Sequence, residues 1–176
     1  MSFNFQPVLT GTLVTMRPYR EADWPELSAA AADPLIWEQH PFPERWRADD
    51  FRRTMDDALA EHGSLVATDR ATGAIIGHSR YSTRYVAPGE LEIGWSFLAR
   101  RYWGGAWNGD MKRLMLAHAF AGWPRVVFRI GEHNIRSRRA LEKIGGRLLD
   151  RVDVVMAAGQ AHRHVIYAID RDDWHG

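Results

Sequence analysis

The chain contains no cysteine. That absence removes disulfides, thiolate nucleophiles and cysteine-type zinc sites from consideration. No apolar run approaches the roughly 20 residues that span a bilayer, so no membrane partner is expected. The first seven residues carry no basic stretch followed by an apolar one, and no secretory leader is expected there. A cytoplasmic location is the corresponding expectation. Charge of one sign is also missing: 23 basic and 22 acidic side chains leave a net +1. What is present is bulk for a core. Eight Trp, five Tyr and seven Phe sit in a chain that is 45% apolar and 26% charged, which excludes a disordered chain, a coiled coil or a collagen-like fibre. The 176 residues fit one domain of the usual roughly 100–200, taken here as 1–176.

The near-neutral total hides a segregation. Residues 1–98 carry nine basic and 14 acidic side chains, a net of −5. Residues 99–151 carry 12 basic and four acidic, a net of +8, and residues 152–176 return −2. A basic middle segment raises the local concentration of an anionic ligand. No recognised DNA-binding motif accompanies it, so nucleic acid is not an expected partner.

Along the chain, 12–17 reads as a first strand, and Asp23-Trp24-Pro25 as a helix entry with Asp23 as cap. Asp33-Pro34 ends that helix, and 40–43 is a proline-rich loop. A second helix opens at Asp49 or Asp50, carries Phe51, Met55, Ala58 and Leu59 at helical spacing, and closes at Gly63. Period-two strands follow at 64–68, 74–85 and 90–98. Gly104-Gly105 then precedes a helix with Met111, Leu114, Met115, Ala119 and Phe120 on its apolar side. A strand at 125–130, a helix at 135–144 and two strands at 147–156 and 162–169 complete the order. That order implies an α+β fold with a mixed sheet.

The stretch Arg101-Tyr102-Trp103-Gly104-Gly105-Ala106, between a strand and a helix, is the most informative. A helix start leaves backbone N–H groups without partners and carries partial positive charge, which suits a phosphate or diphosphate. Gly104 and Gly105 let the backbone come close and adopt positive φ, and Arg101 offers a guanidinium.

These residues carry a resemblance. Arg101, Gly104 and Ala106 fit the acyl-CoA signature Gln/Arg-x-x-Gly-x-Gly/Ala of the GNAT superfamily of N-acetyltransferases. Glu92-Ile93-Gly94-Trp95 resembles the strand before the loop in its ribosomal-protein (alanine or serine) N-acetyltransferase branch. Asn134, Ser137, Glu142, Lys143 and Gly145 match that branch's following helix, and the element order extends the match over about residues 10–170. The resemblance implies one mixed, mostly antiparallel sheet with helices on both faces and splayed strands at the acyl-CoA site. It implies acetyl-CoA as cosubstrate and acetyl transfer to a primary amine on a protein N-terminus or a small molecule. Some positions depart from the pattern: Leu141 stands where many members carry the tyrosine that protonates the thiolate, Gly146 stands where an aromatic is usual, and Trp107 and Asn108-Gly109 replace the small residues common just after the loop.

Such a transfer needs a base, because an alkyl amine is mostly protonated at neutral pH. Glu92 is the candidate, through water, with Glu90 and His133 as alternatives. Backbone N–H groups near Trp95, Ser96 and Phe97 are candidates for the oxyanion. Ser137 matches the branch's donor toward the thiolate, as a hydrogen-bonding group or relay. Asn134 either bonds the pantetheine or caps the helix. Gly104, Gly105, Ala106, Trp107 and Asn108 are assigned to the cosubstrate, with Arg139 and Lys143, which share a helix face with Arg136. The pair His162 and His164 has no obvious third ligand, so no metal is expected. The acidic first segment favours a cationic acceptor. A non-catalytic acyl-CoA sensor, an acyltransferase using another donor such as succinyl-CoA, and a homodimer stay open.

Overall fold

The structure is a computed structural model that describes residues 2–157 and 159–176. Its elements are β1 Leu9–Thr10, β2 Val14–Pro18, α1 Trp24–Ala31, α2 Pro34–Trp37, α3 Ala48–Ala60, β3 Ser64–Asp69, β4 Ile75–Ser82, β5 Glu90–Leu98, α4 Trp107–Phe120, β6 Arg125–Gly131, α5 Ile135–Glu142, β7 Arg147–Ala157 and β8 Gln160–Asp170. The strands form one sheet in the order β1-β2-β3-β4-β5-β6-β8-β7. Every pairing is antiparallel except β5 with β6. This is the mixed, mostly antiparallel α+β sheet that the element order implies.

Strand alternation sends apolar side chains to both faces, and helices cover both. On one face Met16, Leu65, Ile76, Leu91, Ile93 and Phe128 pack with Met111, Met115, Leu116 and Phe120 of α4. On the other, Val66, Ile75 and Phe97 pack with Leu27 of α1, Trp37 of α2, and Phe51 and Met55 of α3. Each such burial is worth about 1.5–3 kcal/mol, so the sheet is fixed from both sides. Among the described residues no helix is long and apolar enough to cross a membrane.

Several boundaries differ from the sequence reading. β4 stops at Ser82 instead of continuing to 85. Asp33-Pro34 ends one helix and also starts the next: the Asp33 carboxylate accepts from the Leu35 amide at 3.0 Å, and Pro34 occupies the first turn of α2. Asp23 does not cap α1 with its side chain. It holds Arg17 by two hydrogen bonds of 2.7 and 2.8 Å and accepts from the Arg20 amide. α4 begins at Trp107, before the first apolar position that the periodicity marks.

One carboxylate fixes where α4 starts. The buried Asp110 accepts from the amides of Thr12, Leu13 and Val14 at 3.3, 2.7 and 3.0 Å. The contact is close enough that a Cβ at Gly11 would lie 2.4 Å from an Asp110 oxygen. Burial opposes the charge, but the amides of Leu13 and Val14 and the Arg113 guanidinium outweigh it and hold the carboxyl below its usual range. Charged hydrogen bonds of this kind are worth about 1.5–3 kcal/mol each before desolvation is subtracted. Asp110→Ala is expected to lower unfolding free energy by about 3 kcal/mol in urea titrations. Because the folded pKa is depressed, the wild-type advantage is present above about pH 3.9 and disappears as pH falls through the folded value.

Candidate functional site

The site begins where a ladder ends. β5 and β6 pair only at Glu90 with Arg125, Leu91 with Val126 and Glu92 with Val127. β5 then runs on to Leu98 paired to β4 alone. The two strands part, and one edge of β5 faces open space. The β4–β5 ladder is irregular at the same place. His78 pairs with Phe97 and Arg80 with Gly94, so Ser79 opposes both Trp95 and Ser96. Such a bulge re-aims side chains. Here it places Trp95 at φ +51°, a conformation that costs a bulky residue about 1–2 kcal/mol.

Two cavities meet at the parting. The second, of about 700 Å³, runs between Phe97 and Leu98 of β5, the loop Gly104-Gly105, and Arg139 and Lys143 of α5. Gly104 has φ +74° and nothing within 4 Å of its Cβ direction. The amides from Gly104 to Gly109 meet no acceptor among the described residues, since the first internal bond of α4 is Asp110 N–H to Ala106. A run of free amides at a helix start, on the same cavity wall as Arg139 and Lys143, has the donors and charge that suit an anion.

The first cavity, of about 840 Å³, is lined by Glu92, Arg80, Trp95, Lys112 and His164 among others. Ser96, Asn108, Asn134 and Ser137 border both cavities. Glu92 is 2% exposed, and its Oε2 makes no hydrogen bond. Burial pushes its carboxyl up, against the opposing pull of Arg80, whose Nη2 stands 3.9 Å away. Arg80 itself is fully buried, ion-paired to Glu61 at 2.7 Å and stacked 3.8 Å from the Trp95 ring centre. His78 is buried and pulled down to about 4, so it is neutral. Its Nδ1 faces the Trp95 carbonyl at 3.1 Å.

The structure brings most sequence candidates together and separates a few. Glu92, Trp95, Ser96, Asn108, Asn134 and Ser137 surround the junction, with Phe97, Gly104, Gly105, Arg139 and Lys143 along the second cavity. Arg101, Ala106 and Trp107 lie off both walls: Arg101 sits over the Tyr102 ring at 4.9 Å, and Trp107 packs edge-on to the same ring. Arg136 is held by Glu38 and the Ile36 carbonyl and stacks on Trp103 at 4.1 Å, so its charge is spent on the α2 segment. Of the alternative bases, Glu90 is bound to Arg151 at 2.5 Å away from the cavity, and the His133 side chain is 95% exposed. Asn134 caps α5, its Oδ1 accepting from the Ser137 amide at 3.2 Å. Leu141 lies in the core and borders the first cavity. The acidity of the first segment is largely consumed: Glu21, Asp23, Asp33 and Glu61 are paired to arginines.

Sequence reasoning missed Lys112. It is 6% exposed, its Nζ donates to Ser96 Oγ at 2.7 Å, and burial pulls its amine down to about 7. A signal was there. Only two of the 23 basic residues are lysines, Lys112 and Lys143, and each borders one of the cavities.

A family model described as an acetyltransferase (GNAT) domain matches residues 14–147. No curated protein matches the chain in sequence. Among solved structures, a GCN5-related N-acetyltransferase from Brucella melitensis superposes with TM-score 0.79 at 19% identity, over 96% of this chain and 80% of that one. Mycobacterium smegmatis RimJ, in complex with CoA-disulfide, gives TM-score 0.72 at 18% identity over 98% and 91%. A ribosomal-protein-S5-alanine acetyltransferase from Vibrio fischeri gives 0.68 at 15% over 97% and 100%. At these identities the likeness concerns the fold.

The Arg80 cluster makes a direct prediction. Arg80→Met leaves the buried Glu92 without its ion-pair partner and leaves the half-buried Glu61 only the exposed Arg84 at 3.4 Å, and is expected to cost about 3 kcal/mol at neutral pH. Both folded carboxyl pKa values rise in the variant, so its deficit shrinks as pH falls below the variant's raised values toward the wild-type folded ones, that of Glu61 lying below the free glutamate range. Denaturant unfolding at several pH values measures this.

Proposed function

Because the chain belongs to the GNAT acetyltransferase family, whose members transfer acetyl groups from acetyl-CoA, we propose that it acetylates a primary amine by direct attack on the thioester, with the whole of 1–176 acting as one catalytic domain. The observation that carries this reading is the meeting of the two cavities at Ser96, Asn134 and Ser137. One cavity ends in free amides suited to a diphosphate. The other holds a buried carboxylate with an unpartnered oxygen. Donor and acceptor enter from opposite sides and reach each other at the parted strands.

The residues fit the donor. The amides of Gly104, Gly105, Asn108 and Gly109 take diphosphate oxygens, Arg139 and Lys143 supply cations along the same wall, and the free edge of β5 offers backbone groups to an amide-bearing arm. Bound there, acetyl-CoA supplies the activated acetyl group. Glu92 accepts a proton from the incoming amine through water, and its burial suits a base that must be both ionised and proton-hungry near neutrality. The backbone around Trp95, Ser96 and Phe97 receives the negative charge on the acetyl oxygen. The acceptor is a small-molecule amine or a protein N-terminus, entering the first cavity.

Calorimetry with CoA and thiol release from acetyl-CoA across an amine panel test the reading. Binding together with amine-dependent release is the expected result. Absence of CoA binding overturns the donor site, and binding without release on any amine favours a sensor. Glu92→Gln is expected to keep CoA binding and lower turnover by about 10²–10⁴-fold. Unchanged turnover removes Glu92 from the mechanism.

A further inference from the structure

Lys112 is the least explained charge in the molecule. Its amine is buried on the wall of the first cavity, one turn along α4 from Asn108, and is tied to Ser96, which borders both cavities. Among the described residues no carboxylate forms an ion pair with it. Its one hydrogen bond joins a short chain, in which Lys112 Nζ meets Ser96 Oγ at 2.7 Å, Ser96 meets Ser79 at 2.7 Å, and Ser79 donates to the Gly94 carbonyl at 3.4 Å. The Phe128 ring lies 5.1 Å from Nζ on another side. Burying an ammonium without a partner costs several kcal/mol, so such a group persists where a ligand or a reaction uses it. The residue type is telling too. This chain uses arginine at 21 basic positions and lysine at two. Arginine keeps its proton at any relevant pH, whereas a buried lysine releases it readily.

We propose that Lys112 is a second catalytic group of the transfer reaction, its ammonium pairing with the coenzyme's sulfur as the carbon–sulfur bond breaks and giving that sulfur a proton. The inference rests on the acyl-CoA reading above. The acceptor nitrogen forms a bond to the acetyl carbon, and the C–S electron pair stays on sulfur. Sulfur takes its proton from Lys112 Nζ, the nitrogen's surplus proton leaves toward Glu92, and Lys112 is reprotonated from solvent. Leu141 contributes no acid at this place, and the Ser137 hydroxyl is a weak one. Lys112 fills that role from the opposite element, α4, with Ser96 fixing the direction of its N–H groups. The lowered affinity of its amine for a proton, which burial causes, matches a donor that must release one near neutral pH.

The scarcity of lysine makes the test direct. Protein labelled with ¹³C at lysine Cε gives signals from Lys112 and Lys143 alone, assigned with Lys143→Arg. The Lys112 signal is titrated in the free protein, with CoA, and with desulfo-CoA, which lacks the thiol. A thiolate beside the ammonium is expected to raise the Lys112 midpoint by about one unit or more with CoA, and not with desulfo-CoA. By linkage, the bound thiol, followed by thiolate ultraviolet absorbance, titrates lower than free CoA by a like amount. Lys112→Met is expected to abolish that thiol shift. Lys112→Arg is expected to keep it while turnover falls about 10²-fold, since guanidinium holds the charge and withholds the proton. Identical Lys112 titrations with CoA and desulfo-CoA overturn the proposal without any variant having to fold. Calorimetry with CoA separates that outcome from failure of the donor site itself.

Discussion

Beyond Glu92, β5 loses its parallel neighbour while its antiparallel neighbour stays. Strand backbone left with one ladder must find other partners for its free N–H and C=O groups, or expose them. Here the exposed edge forms a wall of both cavities. The parting also decides which carboxylate borders the cavity. Glu90 lies where β5 and β6 are still joined and is tied to Arg151, whereas Glu92 stands at the last paired position, where the space opens. Two residues of the same strand, on the same face, are thus given different environments by the place at which one ladder stops.

The charges around that opening are unevenly matched. Arg80 is buried among Glu61, Glu92 and the Trp95 ring, with its Nε left without a hydrogen bond. It lies closer to Glu61 than to Glu92, so Glu92 feels a cation without being bound by one. Burial raises its carboxyl while the more distant guanidinium keeps it ionisable. Trp95 belongs to the same arrangement. Its left-handed backbone is a cost borne at the bulge, and the indole so placed packs against the Arg80 guanidinium and lines the first cavity. Strain, stacking and carboxylate meet at Arg80 and Trp95.

Much of this was legible in the sequence, because the information was local. Period-two runs gave β5 and β6 nearly to the residue, and Gly104-Gly105 before a helix marked the amide cradle through the conformation only glycine adopts cheaply. Glu92, Asn134 and Ser137 were reached through motif spacing, and the structure gathers them at the junction. The failures were tertiary. Nothing within a few residues of Arg136 says that Glu38 and Trp103 will hold it, and nothing near His133 says that it will face solvent. The α2 helix was hidden because proline has two meanings, a stop for the helix before it and a start for the one after. Lys112 sits at an ordinary helical position, and its burial follows from the sheet it faces, not from its neighbours in sequence.

The division of labour between the cavities follows from which elements build them. In the proposed reading the donor side is the second cavity, built by β5, the loop before α4, α5 and the α2 segment, with Gly104, Arg139 and Lys143 inside the stretch 14–147 that the family model matches. The acceptor side adds Asp153, Val154, Val155 and Met156 of β7 and His164 of β8, all beyond that stretch. Backbone amides recognise a diphosphate whatever the flanking side chains are, so the donor wall needs little more than a fold and glycine. An acceptor is recognised by side chains, which are free to differ. In that reading the sheet's last two strands carry this freedom, because β7 is an edge strand whose 153–156 stretch borders the first cavity while its partner β8 holds it in place. In the proposed reading, selectivity for the amine resides in residues of β7 and β8, away from the parting of β5 from β6.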